Sequence, residues 1–100
     1  MAIIRVTQFK AFPGKEEALV QQLIENVRVV RDAVPGLLYI STGPTIGGNS
    51  PYHSTIVAKY KDQAAFDVYE SHPAHLSTKA NMDGYVQERL MMIYQVADED

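Results

Sequence analysis

The sequence contains no cysteine. That absence removes disulfides, thiolate metal sites, iron–sulfur clusters and thiol nucleophiles at once, so any chemistry falls to His, Tyr, Arg, Ser, Thr or carboxylates. Long apolar runs are missing too: the longest, such as Leu90-Met91-Met92-Ile93-Tyr94, are far short of the roughly 20 residues a membrane helix needs. Nor is there a surplus of basic residues. The net charge is −3, with Asp98, Glu99 and Asp100 supplying three of twelve acids, which leaves no electrostatic footprint for a phosphate backbone. No segment recurs at a fixed spacing, which argues against a repeat array. The start, Met1-Ala2-Ile3-Ile4-Arg5, lacks the succession of basic, apolar and small residues that marks a signal peptide. A cytoplasmic protein is expected, with neither nucleic acid nor membrane as partner.

What is there reads as one domain over residues 1–100. With 46% hydrophobic and 21% charged residues, a chain of this length buries about 65% of the surface its unfolded form exposes. Ile3 to Lys10 is a β-branched-rich strand, and Pro13-Gly14 turns the chain into a helix. Between Lys15 and Val34, the residues Leu19, Leu23, Val27, Val30 and Val34 recur at spacings of three and four, which gives the helix one buried face. Val34-Pro35-Gly36 stops it. Leu37 to Thr42 and Tyr52 to Tyr60 form an antiparallel hairpin, whose loop carries Gly47-Gly48-Asn49-Ser50-Pro51. Asp62 caps a short helix through Tyr69, and Pro73 opens a further helical segment ending near Gly84, so the helix is split at His72. Val86 to Val96 is the last strand, with Leu90, Met92, Tyr94 and Val96 on one side and Met91 and Ile93 on the other, so that both faces look covered.

Strand, helix, strand, strand, split helix, strand is the α+β order of a ferredoxin-like split β-α-β sandwich, a four-stranded antiparallel sheet with helices on one side. One helix layer covers only one face. A second copy of the chain is the economical cover for the other, closing two sheets into a dimeric α/β barrel with a cavity between sheet and helices in each subunit.

The densest reactive cluster is Tyr69-Glu70-Ser71-His72-Pro73-Ala74-His75, a phenol and two imidazoles around a helix break. If Pro73 is the first helical residue, His75 stands in the first turn, where the helix dipole disfavours imidazolium and lowers its pKa. A neutral imidazole accepts a proton near pH 7, and the Tyr69 hydroxyl holds or polarises a substrate oxygen, a pairing suited to proton abstraction beside a carbonyl. The plainer alternative is that His72 caps the helix, His75 packs as an ordinary polar residue and Tyr69 is a core aromatic. His72 and His75 are spaced three apart and His53 is a conceivable third ligand, but no carboxylate completes a metal pattern, and no metal is expected. Arg5, a charge in a strand with two apolar faces, is paired, exposed at an edge or aimed into the cavity. Gly47-Gly48-Asn49-Ser50 lacks the Lys and following helix of a phosphate loop and reads as a hairpin tip. The acidic tail reads as a solvated end.

The chain resembles the stress-responsive A/B barrel domain family, called Dabb, of the dimeric α/β-barrel superfamily. The resemblance runs over nearly all of it and is carried by several segments. They are Phe9-Lys10-Ala11-Phe12-Pro13-Gly14, Val34-Pro35-Gly36-Leu37, Gly43, Tyr52 through Tyr60 followed by Lys61-Asp62, and the Tyr69 to His75 element. It implies a homodimer with sheets back to back and a cofactor-free pocket in each subunit. Plant polyketide cyclases of the family use the tyrosine and last histidine of Tyr-x-x-His-Pro-x-His in an aldol-type ring closure. That match implies Tyr69 and His75 as the catalytic pair, with His75 as general base. Arg5 stands where family members often carry His, Ser54 corresponds to a further His of the cyclase-like members, and His53 is shifted to the opposite face. Arg5, Thr7, Phe9, Ser54, His72, Leu90 and Met92 are the expected substrate-binding residues, and Arg5 favours an anionic or carboxylate-bearing ligand.

Three functions of different class follow. The first is cofactor-free acid–base catalysis, cyclase- or lyase-like, on a small polyketide-like, phenolic or carboxylate-bearing compound. The second is a cofactor-free monooxygenase of the antibiotic-biosynthesis type, and the third a stress-associated small-molecule-binding protein without catalysis.

Overall fold

β1 (Ile3–Ala11) alternates buried and half-buried residues from end to end, with Ile3, Arg5, Thr7, Phe9 and Ala11 on one face and Ile4, Val6, Gln8 and Lys10 on the other. Period-two alternation of this kind marks a strand whose faces meet different surroundings. The computed structural model describes residues 1–98. Of the acidic tail expected to be solvated, Asp98 is exposed, and Glu99 and Asp100 lie outside the described residues. The remaining elements are α1 (Glu16–Arg31), β2 (Leu37–Pro44), β3 (Ser54–Tyr60), α2 (Gln63–Ser71), α3 (Pro73–Ala80) and β4 (Val86–Gln95). The strands form an antiparallel sheet in the order β2-β3-β1-β4. This is the ferredoxin-like arrangement, and the helices pack on the face that carries Arg5.

α1 starts after a turn at Gly14, whose φ of 85° suits glycine. Glu16 and Glu17 stand in its first turn and Arg28 and Arg31 in its last, a distribution that complements the helix dipole. Its stripe buries Leu19, Leu23, Val27 and Val30 against the sheet, and full burial of each such side chain is worth roughly 1.5–3 kcal/mol. Leu23→Ala is the single change that would open this layer most directly, at about 2–5 kcal/mol. The helix ends at Arg31, before Val34, which is buried in the turn that follows. Gly36 has φ of 82°, and a Cβ there would stand 2.5 Å from Ala65 Cβ. The turn is thus packed directly on α2.

Asp62 caps α2 by accepting from Ala65 N at 2.9 Å. The split falls at His72, which ends α2 and caps α3, with Pro73 at the start of α3. α3 stops at Ala80, short of Gly84. Residues 81–85 turn instead through Met82 N to Lys79 O (3.2 Å) and Asp83 N to Ala80 O (3.3 Å), and Gly84, at φ 88°, releases the chain into β4. The hairpin strand β3 begins at Ser54 and not Tyr52; just before it, His53 N donates to Phe9 O at 2.8 Å and His53 Nδ1 accepts from Ala11 N at 2.9 Å.

β4 departs from expectation. It is the sheet edge beside β1, and Leu90 to Tyr94 are exposed on both faces. The helices pack on β1, β2 and β3, so that within one chain Leu90 to Tyr94 stay exposed while Val86, at the start of β4, packs against the core. On the side away from the helices, Val6 pairs with Val57 and with Met92, and Ile4 with Tyr94. These residues make an apolar patch on a face that also carries Gln8, Lys10, Thr55 and Lys59. Among the described residues no helix is long and apolar enough to cross a membrane.

Candidate active site

Tyr69 sits in the last turn of α2 and His75 in the first turn of α3. In an unbroken helix, residues six apart lie about 9 Å apart along the axis and about 240° around it. The break changes that. His72 turns extended (φ −67°, ψ 135°), its Nδ1 accepts from Ala74 N at 3.1 Å, and Pro73 starts α3 without needing a donor partner. The Tyr69 and His75 rings then stack, centroids 4.2 Å apart and planes 29° off parallel. Tyr60 meets the Tyr69 ring edge-on at 5.0 Å, which fixes the phenol between two rings.

β1 supplies the third member. Arg5 is only 7% exposed, its Nη2 donates to the Tyr69 hydroxyl at 3.0 Å, and its Cζ stands 4.9 Å from the Tyr69 ring centre. Of the three possibilities the sequence left for Arg5, it is turned to the cavity, hydrogen-bonded to a neutral phenol. The cavity, about 300 Å³, lies between the sheet and the helices, and Arg5, Thr7, Phe9, Tyr69 and His75 line it. Leu23, Val27, Val30, Ile40 and Ile56 make an apolar wall.

His75 Nδ1 lies 3.4 Å from Glu70 O. A carbonyl only accepts, so this contact calls for the proton on Nδ1 and leaves the lone pair on Nε2. Burial first, and the Arg5 charge second, hold the imidazole below its ordinary range, against the opposing pull of Glu70. The direction matches the one expected from the helix dipole, but the cause is different. Burial likewise pushes the Tyr60 phenol above its usual range, with Arg5 opposing.

Four expected site residues lie elsewhere. Leu90 and Met92 point to the opposite face of the sheet: they pair with Gln8 and Val6, whereas Arg89 and Met91 pair with Phe9 and Thr7 and line the cavity. Both faces of β4 are apolar, so the sequence offers no phase to choose between them. Ser54 is on the helix face, but it is fully buried outside the cavity lining and its hydroxyl is spent on Gly43 O at 2.8 Å. His72 caps α3 and does not line the cavity. His53 is held by Ala11, and among the described residues no three His, Asp or Glu side chains gather as a metal site.

Asn26, missed in the sequence, lines the cavity and is buried. Its Nδ2 reaches Thr78 O at 3.1 Å and Met82 Sδ at 3.0 Å, and its Oδ1 accepts from Gln22 at 2.9 Å. It ties α1 to α3. The signal was available, since Asn26 is a polar residue on the stripe between Leu23 and Val30. Lys79 and Arg89 also line the cavity, and nothing local in the sequence marks them.

The family model of the stress responsive A/B barrel domain, Dabb, matches residues 3–96. No curated protein sequence matches the chain. Among solved structures, a dimeric ferredoxin-like protein of unknown function from Thermobifida fusca is similar at TM-score 0.83 and 22% identity, covering 96% of this chain and 92% of that one. A Dabb family protein with a ferredoxin-like fold from Mesorhizobium loti follows at TM-score 0.77 and 21% identity, covering 96% and 97%. The hydroxynitrile lyase of Passiflora edulis superposes at TM-score 0.82 with 10% identity, covering 99% and 96%.

Proposed function

The chain belongs to the stress responsive A/B barrel domain family, and from that premise we propose that it performs cofactor-free acid–base catalysis, cyclase- or lyase-like, on a small carbonyl compound. The observation that carries this reading is the stack of Tyr69 on His75 at 4.2 Å with Arg5 on the Tyr69 hydroxyl. The phenol oxygen accepts from Arg5, so its own proton is left to donate to a substrate carbonyl. His75 Nε2 takes a proton from the carbon beside that carbonyl, and the electron pair moves onto the carbonyl oxygen held by Tyr69. The enolate then attacks a second carbonyl, closing a ring, or expels a leaving group. A lyase on the same fold supports this class of chemistry without identifying a substrate.

The test is turnover of a panel of oxo esters, oxo acids and phenolic ketones, read for ring closure or bond cleavage, on wild type and His75→Ala. Loss of about 10²–10⁴-fold is expected. Unchanged turnover in a folded variant removes the catalytic role, and binding without chemical change would favour a non-catalytic ligand carrier. Oxygen consumption with quinols would favour the monooxygenase reading.

The same premise supports a homodimer. The apolar outer face centred on Val6, Val57 and Met92 is the surface a second sheet would cover, and a neighbour of the same fold is described as dimeric.

A further inference from the structure

We propose that the cavity selects a short oxo acid, with its carboxylate on Arg5 and its carbonyl oxygen on Tyr69. The inference deepens the catalytic reading of this site and rests on it for the role of Tyr69. Its own ground is the guanidinium. Arg5 is more than nine-tenths buried and lines the cavity. Its Nη2 is spent on Tyr69, but its Nε is buried with no hydrogen-bond partner among the described residues.

A buried guanidinium normally has a carboxylate beside it. Among the described residues Arg5 makes no ion pair; Arg28 pairs with Glu25 on the exposed surface of α1. Among the described residues, Glu70, Lys79 and Arg89 line the rim of the cavity and are all exposed, so Arg5 is its one buried charge, and two cations against one carboxylate stand at the rim in a protein whose net charge is −3. The local field thus opposes the overall charge and draws an anion to the cavity. The planar fork of Arg, whose Nε–H is unpartnered, matches the two oxygens of a carboxylate.

Spacing narrows the class further. Arg5 Nη2 and the Tyr69 oxygen are 3.0 Å apart, so a ligand reaches both most directly with its carboxylate and carbonyl bonded to each other or separated by one carbon. A 2-oxo or 3-oxo acid meets this requirement. An acid with its carbonyl at the far end of the chain must fold back on itself to do so. The apolar wall of Leu23, Val27, Val30, Ile40 and Ile56 takes the remaining alkyl or aryl tail.

The experiment is calorimetric titration of the full chain with 2-oxohexanoate, 3-oxohexanoate and 5-oxohexanoate and their methyl esters, on wild type, His75→Ala and Arg5→Met. In wild type, the 2- and 3-oxo acids are expected to bind at least about tenfold tighter than their esters and than 5-oxohexanoate, the scale of one hydrogen bond to a charged group. The preference should persist in His75→Ala and vanish in Arg5→Met. Esters that bind as well as acids overturn the proposal, as does an acid preference that survives in folded Arg5→Met, or no acid binding at millimolar concentration. Equal binding of 5-oxohexanoate overturns the spacing argument. Should Arg5→Met fail to fold, the acid and ester comparison on wild type decides alone. Tight acid binding without turnover counts against catalysis only, and His75-dependent turnover of esters without charge preference counts against Arg5 selection only.

Discussion

Arg5 and Tyr69, 64 residues apart in sequence, meet through a 3.0 Å hydrogen bond from Nη2 to the phenol oxygen, inside a site that both line. The bond joins the central strand to the helix layer, and each partner needs the other to be tolerated in the interior.

Tyr69→Phe should therefore cost stability as well as turnover. It keeps the ring stack but strips Arg5 Nη2 of its acceptor, at about 1–3 kcal/mol for an unsatisfied buried donor. Urea unfolding measures the loss, and kcat should fall by roughly 10²-fold or more if the hydroxyl polarises the substrate.

The imidazole of His75 is held below the ordinary 6.5 by burial and by Arg5. A histidine that resists protonation in the fold stays neutral as pH falls past 6.5, while the unfolded chain takes up the proton. Stability is therefore fully present above 6.5 and lost as pH drops through the window toward the lower native value. The acid limb of kcat/KM for the free enzyme should lie below 6.5, and in Arg5→Met it should move up. NMR titration of the three histidines in both proteins checks this; an unmoved His75 curve would separate Arg5 from the base.

Gly36→Ala places a Cβ 2.5 Å from Ala65 Cβ at a φ of 82°. Steric overlap and left-handed backbone together should cost about 2–4 kcal/mol. Circular dichroism against denaturant reads it, and Ala65→Gly in the same chain should restore part of the loss by removing the opposing methyl.

Met92→Asp puts a charge at the centre of the apolar outer face, beside Val6. Sedimentation should show wild-type dimers and variant monomers. Oxo-acid binding should persist in the variant, because Met92 points away from the cavity; monomeric wild type would remove the homodimer.

Much of the architecture was legible because period-two and helical spacings are strong in β1 and α1, and because Asp62, Pro73 and Gly36 punctuate the chain where the structure does. The meeting of Tyr69 and His75 was legible for the same reason, since Pro73 marks the break that lets six-residue neighbours stack. β4 was not. Its side chains are apolar in both phases, so only the pairing of Phe9 with Arg89 and Thr7 with Met91 reveals that Leu90 and Met92 face outward. That Ser54 and His72 lie outside the cavity lining was hidden for another reason: each spends its polar atom on nearby backbone, a local choice that residue type alone does not record.

The strand that carries Arg5 lies between β3 and β4, and its residue Ile3 is matched with Gln95. β1 and β4 are the first and last strands of the sheet in sequence, yet they are neighbours in it. Pairings this distant are slow to close, because the loop between them must be ordered first. The cavity wall made by Arg89 and Met91 therefore depends on the longest-range pairing of the sheet, and the pocket closes around Tyr69 and His75 only when β4 docks on β1.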